Sequence, residues 1–429
     1  MDKKNYKILN ISIISACFSC ILVFMLVFTR PTVSVEEKRD LTVFPVFTWS
    51  SLIAGEYTTN VALYYNDTVP MREFFKGIAA DVRSVMGIRY GGVIISGGVT
   101  PDIEKLPEIK EEPITEPNSE LEAISEPEPE PEPNPDIFGE GVMENGVLTF
   151  KDRGFSCFGG GIKNGQLYAS YLNTYKEQLP EVNIYSLVAP TSQTYYMPEK
   201  YLKKYGSEPN NIQNINDHLI DVKPVDAYRA MLAHKDENLY FRTDHHWAPL
   251  GAYYSAQEFA KVADVPFADL DTYERVERDG FVGSFYTFTN LAVFKNNPED
   301  FIFYKPANEY VTDYYDISFN FTHSGQLLTE AKGGALYCTF MGGDSLICHV
   351  NTDCKNGRTL LVIKDSYGNA LIPFFTGSFE NIYVADMRYF NPNAIQFAKA
   401  NGVTDILFAM NSFSAVGPNL KHIERIRTQ

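Results

Sequence analysis

Cysteine, tryptophan and positive charge are all scarce in this 429-residue chain, and each shortage excludes something. Six cysteines are too few for a disulfide-dense scaffold of this length. Two of them, Cys17 and Cys20, sit inside an apolar run, and nothing outside that run resembles a C-x-x-C metal or redox motif. Cys348 and Cys354 flank a short polar loop and are placed to pair across a hairpin, whereas Cys157 and Cys338 read either as a pair or as buried thiols. With 37 Lys and Arg against 54 Asp and Glu the net charge is −17, a field that repels phosphates and argues against nucleic-acid binding. Only two Trp are present, but Tyr and Phe are abundant and bring the aromatic share to 14%, enough for a substantial core.

The negative charge is concentrated. Residues 101–136 hold eleven Glu and two Asp against Lys105 and Lys110, so they carry −11 of the −17. This stretch alternates Pro with Glu and cannot bury apolar surface, so it is expected as an extended spacer. Its reach is up to roughly 110 Å at about 3.1 Å per residue. Residues 8–29 form the one long run without a charge, preceded by Lys3, Lys4 and Lys7 and closed by Arg30-Pro31. That length suits a bilayer-spanning helix, and no small-x-small site follows it, so an uncleaved single-pass anchor is expected. The organisation that follows is residues 1–30 as anchor, 31–100 as an amphipathic helical segment, 101–136 as linker and 137–429 as the main domain.

From residue 137 the pattern is α/β. Strand-length apolar runs at Val182–Ala189, Thr359–Ile363, Asn381–Ala385 and Thr404–Ala409 are joined to helical stretches at Gly165–Leu179, Pro224–Ala233, Pro249–Val262, Ser366–Phe375 and Asn391–Ala400. Ala335–Val350 reads as a β-hairpin. Strands alternating with helices predict a mostly parallel sheet flanked by helices, with its active site past the carboxyl ends of the strands.

Two segments carry chemistry. In Thr243-Asp244-His245-His246-Trp247, residues i and i+2 of an extended segment share a face, so Asp244 can hold one imidazole nitrogen of His246 while the other faces outward. That is the base half of a catalytic triad. His245 points the other way on a strand and is read as a structural or acceptor-site residue, and no metal is expected. In Leu361-Val362-Ile363-Lys364-Asp365-Ser366-Tyr367-Gly368-Asn369 a serine stands at a strand-to-helix turn, where it is lifted above the sheet near helix N–H donors. A serine N-cap needs the same place. Gly343-Asp344-Ser345-Leu346 spells a hydrolase-like motif more closely, but its surroundings read as strand on both sides, so Ser366 is the preferred nucleophile. Arg388, past the next strand, either binds a substrate oxygen or pairs with a carboxylate. Asn411 and Tyr367 complete the group of substrate or oxyanion candidates.

At these residues the chain resembles the bacterial DHHW family, named for the tetrapeptide at 244–247, and that family is similar to the SGNH-like O-acetyltransferases of the alginate system. The resemblance extends over Tyr240–Trp247, Gly251–Tyr254, Leu361–Tyr367 and an N-terminal part with Gly55, Tyr65 and Pro70–Glu73. It implies an SGNH-hydrolase-like α/β domain with Asp244, His246 and Ser366 as the triad. It further implies acetyl transfer to hydroxyls of an exported polysaccharide, outside the bacterial membrane, with a membrane-bound O-acyltransferase supplying the acetyl group and no cofactor. Lys364 stands where Gly often precedes Asp-Ser in SGNH proteins. A carbohydrate acetylesterase with the same triad, and a non-catalytic glycan-binding or scaffold protein, are the alternatives.

Overall fold

A computed structural model describes residues 141–429 throughout and, before them, parts of 15–71. The chain separates into two compact units, 1–89 with 290–292, and 90–289 with 293–429. In the first, strands β1 (Val33–Ser34) and β2 (Arg39–Asp40) pair antiparallel, and short helices cover Trp49–Ile53 and Glu56–Asp67. Arg30 donates to the carbonyl and hydroxyl oxygens of Thr68 at 3.2 and 3.0 Å. The expectation of a membrane anchor and of a membrane location is corrected: no helix among the described residues is long and apolar enough to cross a bilayer. Most of residues 8–29, the part of the expected helical segment beyond Met71 and the acidic spacer lie outside the described residues.

The second unit begins with a small antiparallel sheet of β3 (Val142–Glu144), β4 (Val147–Phe150) and β5 (Arg153–Ser156). The main sheet takes β6 (Asn183–Ala189) and β7 (Lys223–Val225). A separate antiparallel pair follows, β8 (Glu274–Phe281) with β9 (Glu299–Lys305). The main sheet is completed by β10 (Tyr310–Tyr315), β11 (Phe321–Gly325), β12 (Ile347–Thr352), β13 (Thr359–Lys364), β14 (Asn381–Asp386) and β15 (Asp405–Asn411). Its order is β11-β10-β12-β14-β13-β15-β6-β7. The stretch from β14 to β7 is parallel, and β12, β10 and β11 extend it antiparallel. The sheet is therefore mixed rather than uniformly parallel.

The parallel strands are apolar without interruption because both of their faces are covered. Leu360 and Val362 of β13 enter one core with Phe259, Trp247 and the helix Pro249–Ala263. Leu361 and Ile363 enter the other, with the helices Ile162–Gln178, Ala394–Ala400 and Leu420–Thr428. All four side chains are fully buried, each a gain of about 1.5–3 kcal/mol over exposure. Such a strand holds its last residues in place.

Two further expectations are corrected. The hairpin over Ala335–Val350 is a 3₁₀ helix, Gly333–Thr339, followed by a loop and only then β12. The helix expected over Pro224–Ala233 is shorter, Ala227–Leu232, because Lys223–Val225 is taken up as an edge strand. Cys157, Cys338, Cys348 and Cys354 form no disulfide; β12 and β14 are adjacent, and Cys348 lies opposite Val384 rather than Cys354.

Candidate active site

Past β13 the chain turns at Asp365. This residue, not Ser366, is the cap of the 3₁₀ helix Ser366–Phe375. Its Oδ1 accepts the Tyr367 N–H at 2.9 Å and its Oδ2 accepts the Asn411 N–H at 3.1 Å, which ties the nucleophile turn to the end of β15. Burial pushes the Asp365 carboxyl pKa up, against the pull of these donors and of Ser414. Capping by Asp365 leaves the Ser366 hydroxyl free of that duty. The Ser366 backbone N–H also donates to no acceptor among the described residues. The turn is tight at Gly368, where a Cβ would stand 2.4 Å from Cβ of Lys364.

The acid and base come from a closed loop. Tyr240 and Trp247 pair across its neck, and Phe241–His246 bend between them instead of running extended. Asp244 and His246 do meet, but through a turn rather than through strand alternation. Asp244 Oδ1 accepts both the backbone N–H of His246 at 2.9 Å and its Nδ1–H at 2.6 Å. The carboxylate can only accept, so Nδ1 carries the proton and Nε2 is left to accept. Nε2 lies 2.8 Å from Ser366 Oγ. A separation above about 5 Å would have favoured a non-catalytic surface protein. Asp244 and His246 are buried and Ser366 is half-buried, so the serine end of the chain faces outward.

Three supports for this loop were not foreseen from the sequence. Asp244 Oδ2 accepts the Ser284 N–H at 2.7 Å, just past β8. The approach is so close that a Cβ on Gly283 would fall 2.3 Å from Cβ of Asp244. Glu299, at the start of β9, accepts the Arg242 and Thr243 N–H groups and the Thr243 hydroxyl at 2.7 to 2.9 Å. Burial raises its pKa, opposed by those same donors. Tyr337 stacks on the His246 imidazole with ring centres 3.7 Å apart and planes 9° apart, and its hydroxyl donates to the Ser366 carbonyl at 3.1 Å. None of these residues announces itself by spacing, because their contacts span 29 (Tyr337 to Ser366) to 91 (Tyr337 to His246) positions of chain.

Trp247 and Tyr367 join the two halves. Trp247 Nε1 donates to the Tyr367 carbonyl at 3.0 Å, and the Tyr367 hydroxyl donates back to the His245 carbonyl. Tyr367 is thus a buried clamp and not an exposed substrate contact. His245 bonds through Nδ1 to the Ser284 hydroxyl at 2.6 Å and packs beside Phe288. Asp244, His245 and His246 each bring one potential ligand atom to within 4.8 Å of the others, so the two imidazoles do approach one place, contrary to the strand expectation. Both His246 nitrogens are already engaged, by Asp244 and Ser366.

Arg388 takes the carboxylate branch of its two readings. Its guanidinium binds Asp386 at 2.7 and 2.8 Å and Asp344 at 2.9 Å. Lys364, almost fully buried, bridges the same carboxylates at 3.0 and 3.1 Å. Burial works against the Asp344 anion, but the Lys364 and Arg388 cations outweigh it and hold the pKa well below the carboxylate range. The lysine that stands where SGNH proteins often have glycine is therefore one corner of a four-charge cluster in which Lys364 and Asp386 are buried and Asp344 and Arg388 half-buried. Asn411 caps the helix Ser412–Val416 by accepting the Ser414 N–H at 3.0 Å, which is a turn role.

The DHHW family model matches residues 215–385, which contain the base loop and the nucleophile turn. A DHHW family protein from Eubacterium siraeum is similar at 44% identity, with 67% of this chain and 98% of that one covered and a TM-score of 0.65. The chain belongs to the DHHW family. At 17% identity, this DHHW protein shares the fold of Bacillus cereus PatB1, solved with a sulfonyl adduct, over 64% of this chain and 99% of that one at a TM-score of 0.55. The O-acetyltransferase domain of Pseudomonas putida AlgJ aligns at 13% identity over 67% of this chain and 98% of its own, at a TM-score of 0.39. No curated protein matches.

Proposed function

We propose that this DHHW protein is a serine-dependent acyltransferase that moves an acetyl group onto hydroxyls of a polysaccharide. The observation that carries the reading is the unbroken chain Asp244 Oδ1, His246 Nδ1, His246 Nε2, Ser366 Oγ, with links of 2.6 and 2.8 Å. Such a chain can pass a proton one way during attack and the other way during release. Ser366 Oγ attacks the carbonyl carbon of an acetyl donor and its proton moves to His246 Nε2. Asp244 stabilises the imidazolium formed. The proton then passes to the leaving group, and an acetyl-serine remains. A sugar hydroxyl next loses its proton to Nε2 and attacks the acetyl carbon, which releases the acetylated sugar and restores Ser366. The uncommitted Ser366 N–H is the oxyanion donor this scheme uses. The acetyl donor is supplied by a membrane-bound O-acyltransferase acting as partner.

The test is turnover of a chromogenic acetyl ester with and without oligosaccharide acceptor, alongside labelling by a sulfonyl fluoride. Ser366→Ala and His246→Ala are expected to lower turnover by about 10⁴–10⁶-fold, and the sulfonyl group should be found on Ser366. Acetylated oligosaccharide marks a transferase, and acetate alone marks an esterase. Turnover that survives Ser366→Ala overturns the reading.

A further inference from the structure

The loop that joins the Tyr337-bearing 3₁₀ helix to β12 walls a pocket of about 170 Å³ against β10 and β11. Its lining includes Tyr314, His323, Gln326, Met341, Ser345 and Leu346, and no Asp, Glu, Lys or Arg takes part. Asp344 lies in the same loop but is not part of the lining, and its carboxylate is engaged by Lys364, Arg388 and Asn369. An anion or a cation would therefore be desolvated here without a counter-charge, which is costly. A neutral ligand avoids that cost.

The polar groups that remain suit a polyhydroxylated ligand. Ser345 and Gln326 are exposed, and neither side chain is engaged in a hydrogen bond among the described residues. Tyr314 and His323 are stacked at 4.9 Å as an aromatic pair, and Met341 and Leu346 add apolar wall. A few polar groups on an apolar lining is the usual make-up of a small-molecule site. The volume falls below the roughly 300–1,000 Å³ of pockets for drug-sized ligands, so it admits about one ring.

The pocket loop is fastened to the nucleophile turn at two points. Before it, Tyr337 stacks on His246 and bonds to the Ser366 carbonyl. Within it, Asp344 binds Lys364 and Asn369 on either side of Ser366. We propose that this pocket is the acceptor subsite, holding one uncharged pyranose ring of the polysaccharide while a hydroxyl further along the chain is presented to the acetyl-serine. This rests on the acyltransferase reading above. Ser345, in the motif that resembles a hydrolase nucleophile, then acts as a sugar contact.

The test uses the full chain and has two independent readouts. In the first, the ¹³C-methyl resonance of Met341 is followed during titration with cellopentaose, mannopentaose, chitopentaose and pentagalacturonate. At least one neutral oligosaccharide is expected to shift it saturably, pentagalacturonate is not, and Ser345→Trp should abolish the shift. In the second, Ser345→Trp lowers the ratio of acetyl transferred to that sugar over acetyl lost to water by about tenfold. Gln326→Ala, an exposed change that spares the fold, should weaken the titration by about fivefold through one lost hydrogen bond. The proposal is overturned if no neutral sugar shifts Met341, if the shift survives Ser345→Trp, or if the transfer ratio is unmoved. Turnover that persists in Ser366→Ala would instead remove the acyltransferase reading, while the methyl titration still decides whether the pocket binds sugar.

Discussion

The two halves of the candidate site are built by opposite means. Ser366 opens the 3₁₀ helix that follows β13, a strand whose side chains are buried on both faces and whose end is pinned by Asp365 to β15. Asp244 and His246 stand on a bent loop with no regular structure, held by hydrogen bonds donated to Glu299 and received from Ser284, by the stacked Tyr337 ring and by the Trp247 indole bond to Tyr367. The nucleophile is positioned by packing and the base by polar bonds. Packing is spread over many contacts, so single losses cost stability. A polar support is concentrated in one or two atoms, so single losses cost geometry.

The contrast can be broken by substitution. The largest effect is expected for Asp244→Asn, which leaves the shape but removes the acceptor that fixes the His246 tautomer. Turnover should fall by about 10³–10⁴-fold with little loss of stability. On the other half, Leu361→Ala should cost about 2–5 kcal/mol in denaturant unfolding, while kcat measured well below the melting temperature stays near wild type. An equal loss of kcat would erase the distinction. Gly283→Ala drives a methyl group against Asp244, and a displaced carboxylate should cost about 10²-fold in kcat. A melting temperature that falls with no change in kcat would show that the loop tolerates the shift.

The smallest effect is on pH dependence. Burial raises the pKa of Glu299 in the folded protein, so the folded state holds that proton more tightly than the unfolded one does. Its contribution to stability is therefore greatest below the ordinary carboxylate pKa and declines as pH rises through the raised value. Glu299→Gln should flatten this decline across mildly acidic pH, as read from melting temperatures. A slope equal to wild type would assign the dependence to Glu208 or Asp365, whose pKa values burial also raises.

This division also decides what could be read from the sequence. The strand before Ser366 was legible because a doubly buried parallel strand is a continuous apolar run, and the residues that follow it must turn. The Asp244–His246 pair was legible as a pair but not as a geometry. Strand alternation predicts their contact, and a bend produces it. Glu299, Gly283 and Ser284 were invisible because a buried carboxylate or a Gly-Ser turn has the same spelling wherever it lies. The 335–341 stretch is a short apolar run broken only by Thr339 and so reads as a strand, yet it forms a 3₁₀ turn in which Tyr337 makes its ring contact with His246 and its bond to Ser366. The strands β10 and β11 escaped notice because β11 is exposed along its whole length and carries no buried face to signal it.

The bond from the Trp247 indole to the Tyr367 carbonyl, together with the contact of their rings, ties together residues 120 positions apart. The consequence is a rule for recombining relatives. A chimera with its crossover between these positions inherits the tryptophan from one parent and the tyrosine from the other. Each hydrogen bond ends on a backbone carbonyl that any residue supplies, so what a hybrid must reproduce is the packing of the two rings, 5.2 Å apart. The last letter of the DHHW tetrapeptide is thus half of an inherited lock, and its other half is written beside the serine.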